Sequence, residues 1–146
     1  MTEQVRIKKL TDNAILPTYG TEFSAGADLY NAEDCVVINP GETKLIHTAL
    51  SFEIPVGCAG FIFARSGLAT KKGLAPANKV GVVDSDYRGE VMVSLYNHSS
   101  EVQTVEHGER VAQMVILPFV KAEFVETDTL SDTARGVGGF GSTGTK

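Results

Sequence analysis

Residues 90–96 read Glu-Val-Met-Val-Ser-Leu-Tyr, and the reading of this stretch decides the fold class. Val91, Val93 and Leu95 alternate with Met92, Ser94 and Tyr96. A period of two suits a pleated strand, whose successive side chains point to opposite faces. Both sets carry apolar groups, so the expected strand lies between two packed layers. Similar β-rich runs occur on either side: Cys35 to Ile38, Lys44 to Thr48, Leu50 to Ile54, Gly60 to Ala64 and Val111 to Leu117. Gly, Pro, Asn and Asp separate them, with turn signals at Asn-Pro-Gly-Glu (39–42) and Pro-Val-Gly (55–57). Runs recurring at roughly 8–12-residue intervals point to an all-β sandwich or barrel. One short helix is expected, capped by Ser66, running through Leu68 and Ala69 and ended by Gly73.

A chain of 146 residues is most simply one domain, large enough to bury a core without disulfides or structural metal. Its formal net charge of −5 argues against binding a nucleic-acid polymer or an anionic membrane, which depends on Lys and Arg. A small phosphate compound held by a local cluster stays open. The opening MTEQVRIKKL lacks a signal peptide's apolar core, and Val111 to Val120, broken by Gln113 and Pro118, is too short to span a bilayer. Cys35 and Cys58 form no spacing motif and are expected to be reduced and packed, in a cytoplasmic or nuclear protein. His47, His98 and His107 have no metal-ligand spacing, and Asn97-His98-Ser99 matches a glycosylation pattern that an unsecreted chain would not use.

Five stretches concentrate chemistry. The last, RGVGGFGSTG (135–144), matches G-x-G-x-x-G through Gly136, Gly138 and Gly141, but only five residues follow Gly141. A dinucleotide fingerprint needs a strand before it, a helix after it and an acid about 20 residues on. Two readings remain: a disordered tail, or an arm whose open backbone N–H groups, Arg135, Ser142 and Thr143 close over phosphates while Phe140 offers a flat face to a base. In NKVGVVDSDYRGE (78–90), Asp84 follows Val82–Val83 and precedes Tyr87. It belongs either to a solvated turn or to a hairpin rim, where a carboxylate activates water. RSGLA (65–69) joins a cation, a hydroxyl and a helix start, either for phosphate or simply to begin the helix. AGADLY (25–30) offers Asp28, and GERVAQ (108–113) puts Gln113 in an apolar strand, where its amide needs a partner.

Taken in order, AGADLY, RSGLA, GVVDSDYRGE, GERVAQ and RGVGGFGSTG resemble the five motifs of the trimeric dUTP nucleotidohydrolases, the dUTPases, across residues 25 to 144. Each motif alone is unspecific, whereas five in sequence order are specific. The resemblance implies a jelly-roll β-barrel with one short helix over residues 1–130 and a flexible C-terminal arm over 131–146. It implies a homotrimer whose active sites are shared, each arm closing over a neighbour's pocket. The implied reaction is hydrolysis of dUTP to dUMP and diphosphate, which limits uracil in DNA and supplies dUMP for dTMP synthesis.

Position by position, the resemblance makes Asp84 the general base toward water at the α-phosphorus. Asn78 and the backbone around Gly81 read the uracil edge, and Tyr87 lies under the deoxyribose, leaving no room for a 2′-hydroxyl. Arg65, Ser66 and Gly67 hold phosphate oxygens, and Gln113 contacts the α-phosphate region. Arg135 grips the γ-phosphate, Phe140 stacks on uracil, and Gly141, Ser142 and Thr143 close the γ end. Mg²⁺ is carried mainly by the triphosphate, with Asp28 touching it through water. Asp86 and Arg88 receive no role. Two alternatives are kept: a dCTP deaminase-related enzyme, against which the strand Val93-Ser94-Leu95-Tyr96 supplies no acid, and a nucleotide-responsive regulatory trimer.

Overall fold

The computed structural model describes residues 4–139. Twelve strands and one helix follow in chain order: β1 (Arg6–Lys9), β2 (Thr18–Tyr19), β3 (Ala27–Tyr30), β4 (Cys35–Ile38), β5 (Thr43–His47), β6 (Leu50–Glu53), β7 (Cys58–Phe63), α1 (Ser66–Lys72), β8 (Leu74–Pro76), β9 (Gly81–Val83), β10 (Met92–Asn97), β11 (Gln103–Glu106) and β12 (Arg110–Pro118). They form a five-stranded sheet ordered β2-β3-β12-β7-β9, a three-stranded sheet β5-β10-β8, and the pairs β1-β6 and β11-β4, all antiparallel. Apart from β2 and β3, no paired strands are consecutive in the chain, which is consistent with a jelly-roll-like all-β fold. Among the described residues after Pro118 there is no strand or helix, and nearly every residue to Gly139 is exposed.

The period in 90–96 resolves into one inner and one outer face. Val93, Leu95 and Asn97 are buried, while Met92 is exposed and Ser94 and Tyr96 are half-buried. Val93 lies opposite Ile46 of β5, and Leu95 lies opposite Pro76 of β8. Leu29, Ile38, Ile46, Leu50, Leu74, Leu95, Val105 and Val111 are wholly buried and form one core. Truncating such a leucine to alanine costs about 2–5 kcal/mol, so a few of these contacts match the net stability of an ordinary domain.

The buried polar residues complete the turns. The Asn97 amide, also wholly buried, donates to the Ile38 and Glu101 carbonyls and accepts from the Ser99 N–H and hydroxyl. Its burial gives a physical reason, independent of compartment, why the Asn-His-Ser pattern is no glycan acceptor. Helix α1 corrects the expected cap by one residue. Arg65 is the cap, with extended backbone and no side-chain capping bond, and Ser66 is already helical. Gly73 ends the helix as expected, at φ 66, where a Cβ would press on Ser99. The packing expected for both cysteines holds only in part: both are free, but Cys35 is exposed, because it begins edge strand β4 with its side chain outward.

Candidate active site

Apart from those of the C-terminal stretch, the sequence-selected residues fall into two separate clefts that share no lining residue. The first, of about 340 Å³, lies between edge strand β9 and the β5-β10-β8 sheet, and Asn78, Gly81, Asp84, Tyr87 and Glu90 line it. Among the described residues strand β9 pairs only with β7, matching Gly81 to Ile62 and Val83 to Gly60. Its other edge therefore keeps unpaired backbone donors and acceptors, which a planar polar ligand could match. Asn78 sits in the tight turn before β9, where Lys79 adopts φ 68 and the Val80 N–H bonds the Asn78 carbonyl. Gly81 leaves room beside the Asn78 amide, and a Cβ there would press on Ile62.

Asp84 is exposed on the rim, and its carbonyl accepts from the Tyr87 N–H, closing the turn that carries both side chains. The Tyr87 hydroxyl donates to the Glu90 carbonyl at 2.9 Å. A Cβ on Gly89 would collide with the Tyr87 ring, so glycine is what lets the ring lie down on its own loop. Arg88 braces the same loop, donating to the Ser85 and Tyr87 carbonyls at 2.7 and 3.0 Å.

The second cleft, of about 320 Å³, gathers Asp28, Arg65, Ser66, Gly67, Arg110 and Gln113. Asp28 on β3 is 7% exposed, and it accepts from Arg65 Nε at 2.7 Å and from Arg110 Nη1 at 3.3 Å. Two guanidinium groups around one carboxylate leave a net positive cleft suited to phosphate. The Gln113 amide finds the partner its strand position requires, donating to the Ala64 carbonyl at 2.9 Å. Gly26 permits this, since a Cβ there would overlap Gln113. Gly67 faces open space.

Arg135 lines neither cleft; it is exposed and donates to the carbonyl of Gly138 in its own turn at 2.8 Å. Phe140, Gly141, Ser142 and Thr143 lie outside the described residues.

A family model for dUTPase matches residues 12–144. The chain belongs to the dUTPase family. The deoxyuridine 5′-triphosphate nucleotidohydrolase of Nautilia profundicola is 53% identical over 141 residues, spanning 97% of this chain and 99% of that protein. The protein of the same name from Hydrogenobaculum is 49% identical over 140 residues, with 96% and 97% covered. Among solved structures, a dUTPase of Staphylococcus bacteriophage 80alpha with dUpNHpp gives a TM-score of 0.88 at 28% identity, covering 98% of this chain and 99% of that one.

Two residues that line these clefts were not selected from the sequence. Arg110 stood inside GERVAQ without a role. Its position near Gln113 on one strand was the available signal, but the irregular register between Arg110 and Ala112 hides which way it faces. Glu90 read as the polar start of a strand, and only the fold brings it to His47.

No group of three or more His, Cys, Asp or Glu that could hold a metal occurs among the described residues. Both Asp28 oxygens already face arginines. That donor set fits a Mg²⁺ that arrives on the triphosphate, since this ion keeps several waters and binds through substrate phosphates. Among the described residues no helix is long and apolar enough to cross a membrane.

Proposed function

We propose that this chain hydrolyses dUTP to dUMP and diphosphate, with uracil and deoxyribose in the β9 cleft and the phosphates in an arginine cleft. The observation that carries the reading is the pairing of a polar sheet edge and a rim carboxylate, Asp84, with a separate cationic cleft built on Asp28. Asn78 and the free edge of β9 match the uracil edge. Such a pocket rejects a wrong base by roughly 10⁴-fold or more, because mismatch leaves buried groups unpaired. Tyr87 packs against the sugar face and excludes a 2′-hydroxyl.

Asp84 takes a proton from the attacking water as its oxygen bonds the α-phosphorus, and the bond from that phosphorus to the bridging oxygen breaks to release diphosphate. Arg65, Ser66 and Gly67 hold phosphate oxygens, Gln113 contacts the α-phosphate region, and Arg110 adds charge beside them. Mg²⁺ on the triphosphate supplies further charge neutralisation when bound, with Asp28 reaching it only through water. Arg135 takes the γ-phosphate, Phe140 covers the base, and Gly141, Ser142 and Thr143 close the γ end.

The two clefts lie apart on one chain, so we assign a complete site to more than one subunit, in a homotrimer in which residues 131–146 of a third chain close the pocket. Outside the β9 cleft, Leu117 and Phe119 are exposed on the isolated chain, apolar side chains suited to cover by neighbours. We assign this activity to the cytoplasm, or to the nucleus in a eukaryote.

The deaminase alternative loses its best acid here. Glu90 lines the β9 cleft, but both of its carboxylate oxygens are already engaged, one by His47 and one by the Ala49 N–H. Incubation with each dNTP and with UTP in Mg²⁺, followed by product analysis, tests the assignment. Diphosphate from dUTP alone supports it; ammonia from dCTP, or no turnover, overturns it.

A further inference from the structure

Beyond the residues that touch substrate, the loop carrying Asp84 and Tyr87 is fastened at its far end to one stretch, 47–51, where β5 ends and β6 begins. Ser51 Oγ donates to the Arg88 and Gly89 carbonyls, each at 3.1 Å. Glu90 reaches back with both oxygens, to His47 Nδ1 at 2.9 Å and to the Ala49 N–H at 2.8 Å. Thr48 donates to the Val91 carbonyl, and the Val91 N–H donates to the Leu50 carbonyl. Ala49 is held at φ 53, a conformation that costs a non-glycine residue free energy and persists only where neighbours impose it. The Glu90 carboxylate is the only side chain bonding the Ala49 N–H among the described residues. The Tyr87 hydroxyl in turn rests on the Glu90 carbonyl. The position of the sugar-facing ring therefore follows the position of residue 90.

We infer that Glu90 is a positioning residue for substrate selection: its carboxylate clamp on His47 and Ala49 fixes the backbone on which Tyr87 lies, and so sets discrimination between a 2′-deoxyribonucleotide and a ribonucleotide. The inference rests on Tyr87 facing the sugar, as proposed above. The clamp binds no substrate and moves no proton of the reaction. It holds the ring low enough that a 2′-hydroxyl has no space.

The test compares Glu90→Ala, Glu90→Gln, Gly89→Ala and Tyr87→Ala, reading kcat and KM separately for dUTP and UTP, together with Tm. Glutamine keeps an oxygen for the Ala49 N–H and an amide for neutral His47, so E90Q at pH 8 should retain the wild-type ratio of kcat/KM values. E90A should lower that ratio by about 10- to 100-fold, the scale of a misplacement on the order of 1 Å, mainly through improved use of UTP and a raised KM for dUTP. G89A displaces the ring directly, through the Cβ collision, and should reproduce E90A without touching the clamp. If E90A does not fold, Glu90→Asp, too short to reach both partners, takes its place with the same expectation. A lowered Tm with an unchanged ratio in E90A or E90D means a merely structural role and overturns the inference, provided that Y87A or G89A does shift the ratio. If Y87A and G89A also leave the ratio unchanged, the placement of the sugar against Tyr87 is what fails, and the inference falls with it.

Discussion

Replacing Arg65 by methionine should separate the pairing with Asp28 from the phosphate contact proposed for this side chain. Methionine keeps an unbranched stem of similar reach and removes only the guanidinium. Asp28 then loses its 2.7 Å partner and keeps the 3.3 Å contact with Arg110. Asp28's side chain is 10% exposed and Arg65's 25%, so water replaces little of the lost interaction. A hydrogen bond to a charged group is worth about 1.5–3 kcal/mol. Breaking a fully buried pair costs about 3–5 kcal/mol. The surviving Arg110 contact puts the loss near the lower range, about 2 kcal/mol, which lowers Tm by about 4–8 °C in a chain of this size. The phosphates lose a positioned donor at the same time, so kcat/KM for dUTP should fall by about 10²–10³-fold. The double variant Arg65→Met with Asp28→Asn decides between the tasks. Neutralising residue 28 removes the carboxylate left with Arg110 alone, so Tm should recover with a coupling of about 1 kcal/mol or more, while activity stays low. Differential scanning calorimetry at fixed protein concentration and steady-state diphosphate release measure the two quantities. Recovery of activity in the double variant would show that Arg65 serves only Asp28, and an unchanged Tm in R65M would refute the reading of the carboxylate.

Asp84→Asn should keep Tm within about 0.5 kcal/mol of wild type, because residue 84 is exposed. Its single-turnover hydrolysis should fall by about 10²–10⁴-fold with analogue binding retained, and near-normal turnover would reassign the base. Removal of residues 135–146 should leave a folded protein with little activity; circular dichroism and turnover check this, and full activity would contradict the closing role of the arm. The Glu90 carboxylate beside His47 pushes the imidazole's pKa upward, against a smaller opposing effect of burial. The protonated pair therefore adds stability that is fully present below the ordinary histidine value of about 6.5 and is lost as pH rises through the raised folded value. His47→Gln should accordingly lower Tm more at pH 5.5 than at pH 8.5. The difference will be small, since the imidazole is 44% exposed, and an equal loss at both pH values would refute a charged pair.

Alternation and turn residues were enough to place β4, β5, β6, β7, β10 and β12 to within about two residues at their ends, and Gly73 marked the helix end. Strands β1, β2, β8, β9 and β11 carried too few alternating apolar residues to stand out; β2 has two residues and β9 three. β3 escaped for another reason: Ala27 to Tyr30 surrounds a buried carboxylate, and burial of Asp28 makes sense only once Arg65 and Arg110 are beside it. In the candidate site, Arg65, Ser66 and Gly67 are legible as candidates because a cation, a hydroxyl and open backbone N–H groups suit phosphate.

The order of five short motifs, their chemical types and the all-β character were determined by the sequence alone, since local periodicity, turn preference and functional-group chemistry act over a few residues. Only the tertiary structure decided that the first four motifs divide between two clefts, that Asp28 anchors two arginines, and that Glu90 grips a turn 41 residues away at Ala49. Such pairings join segments far apart in the chain, and their geometry follows from which strands close into which sheet, a choice made by burial of the whole core and not by any one stretch.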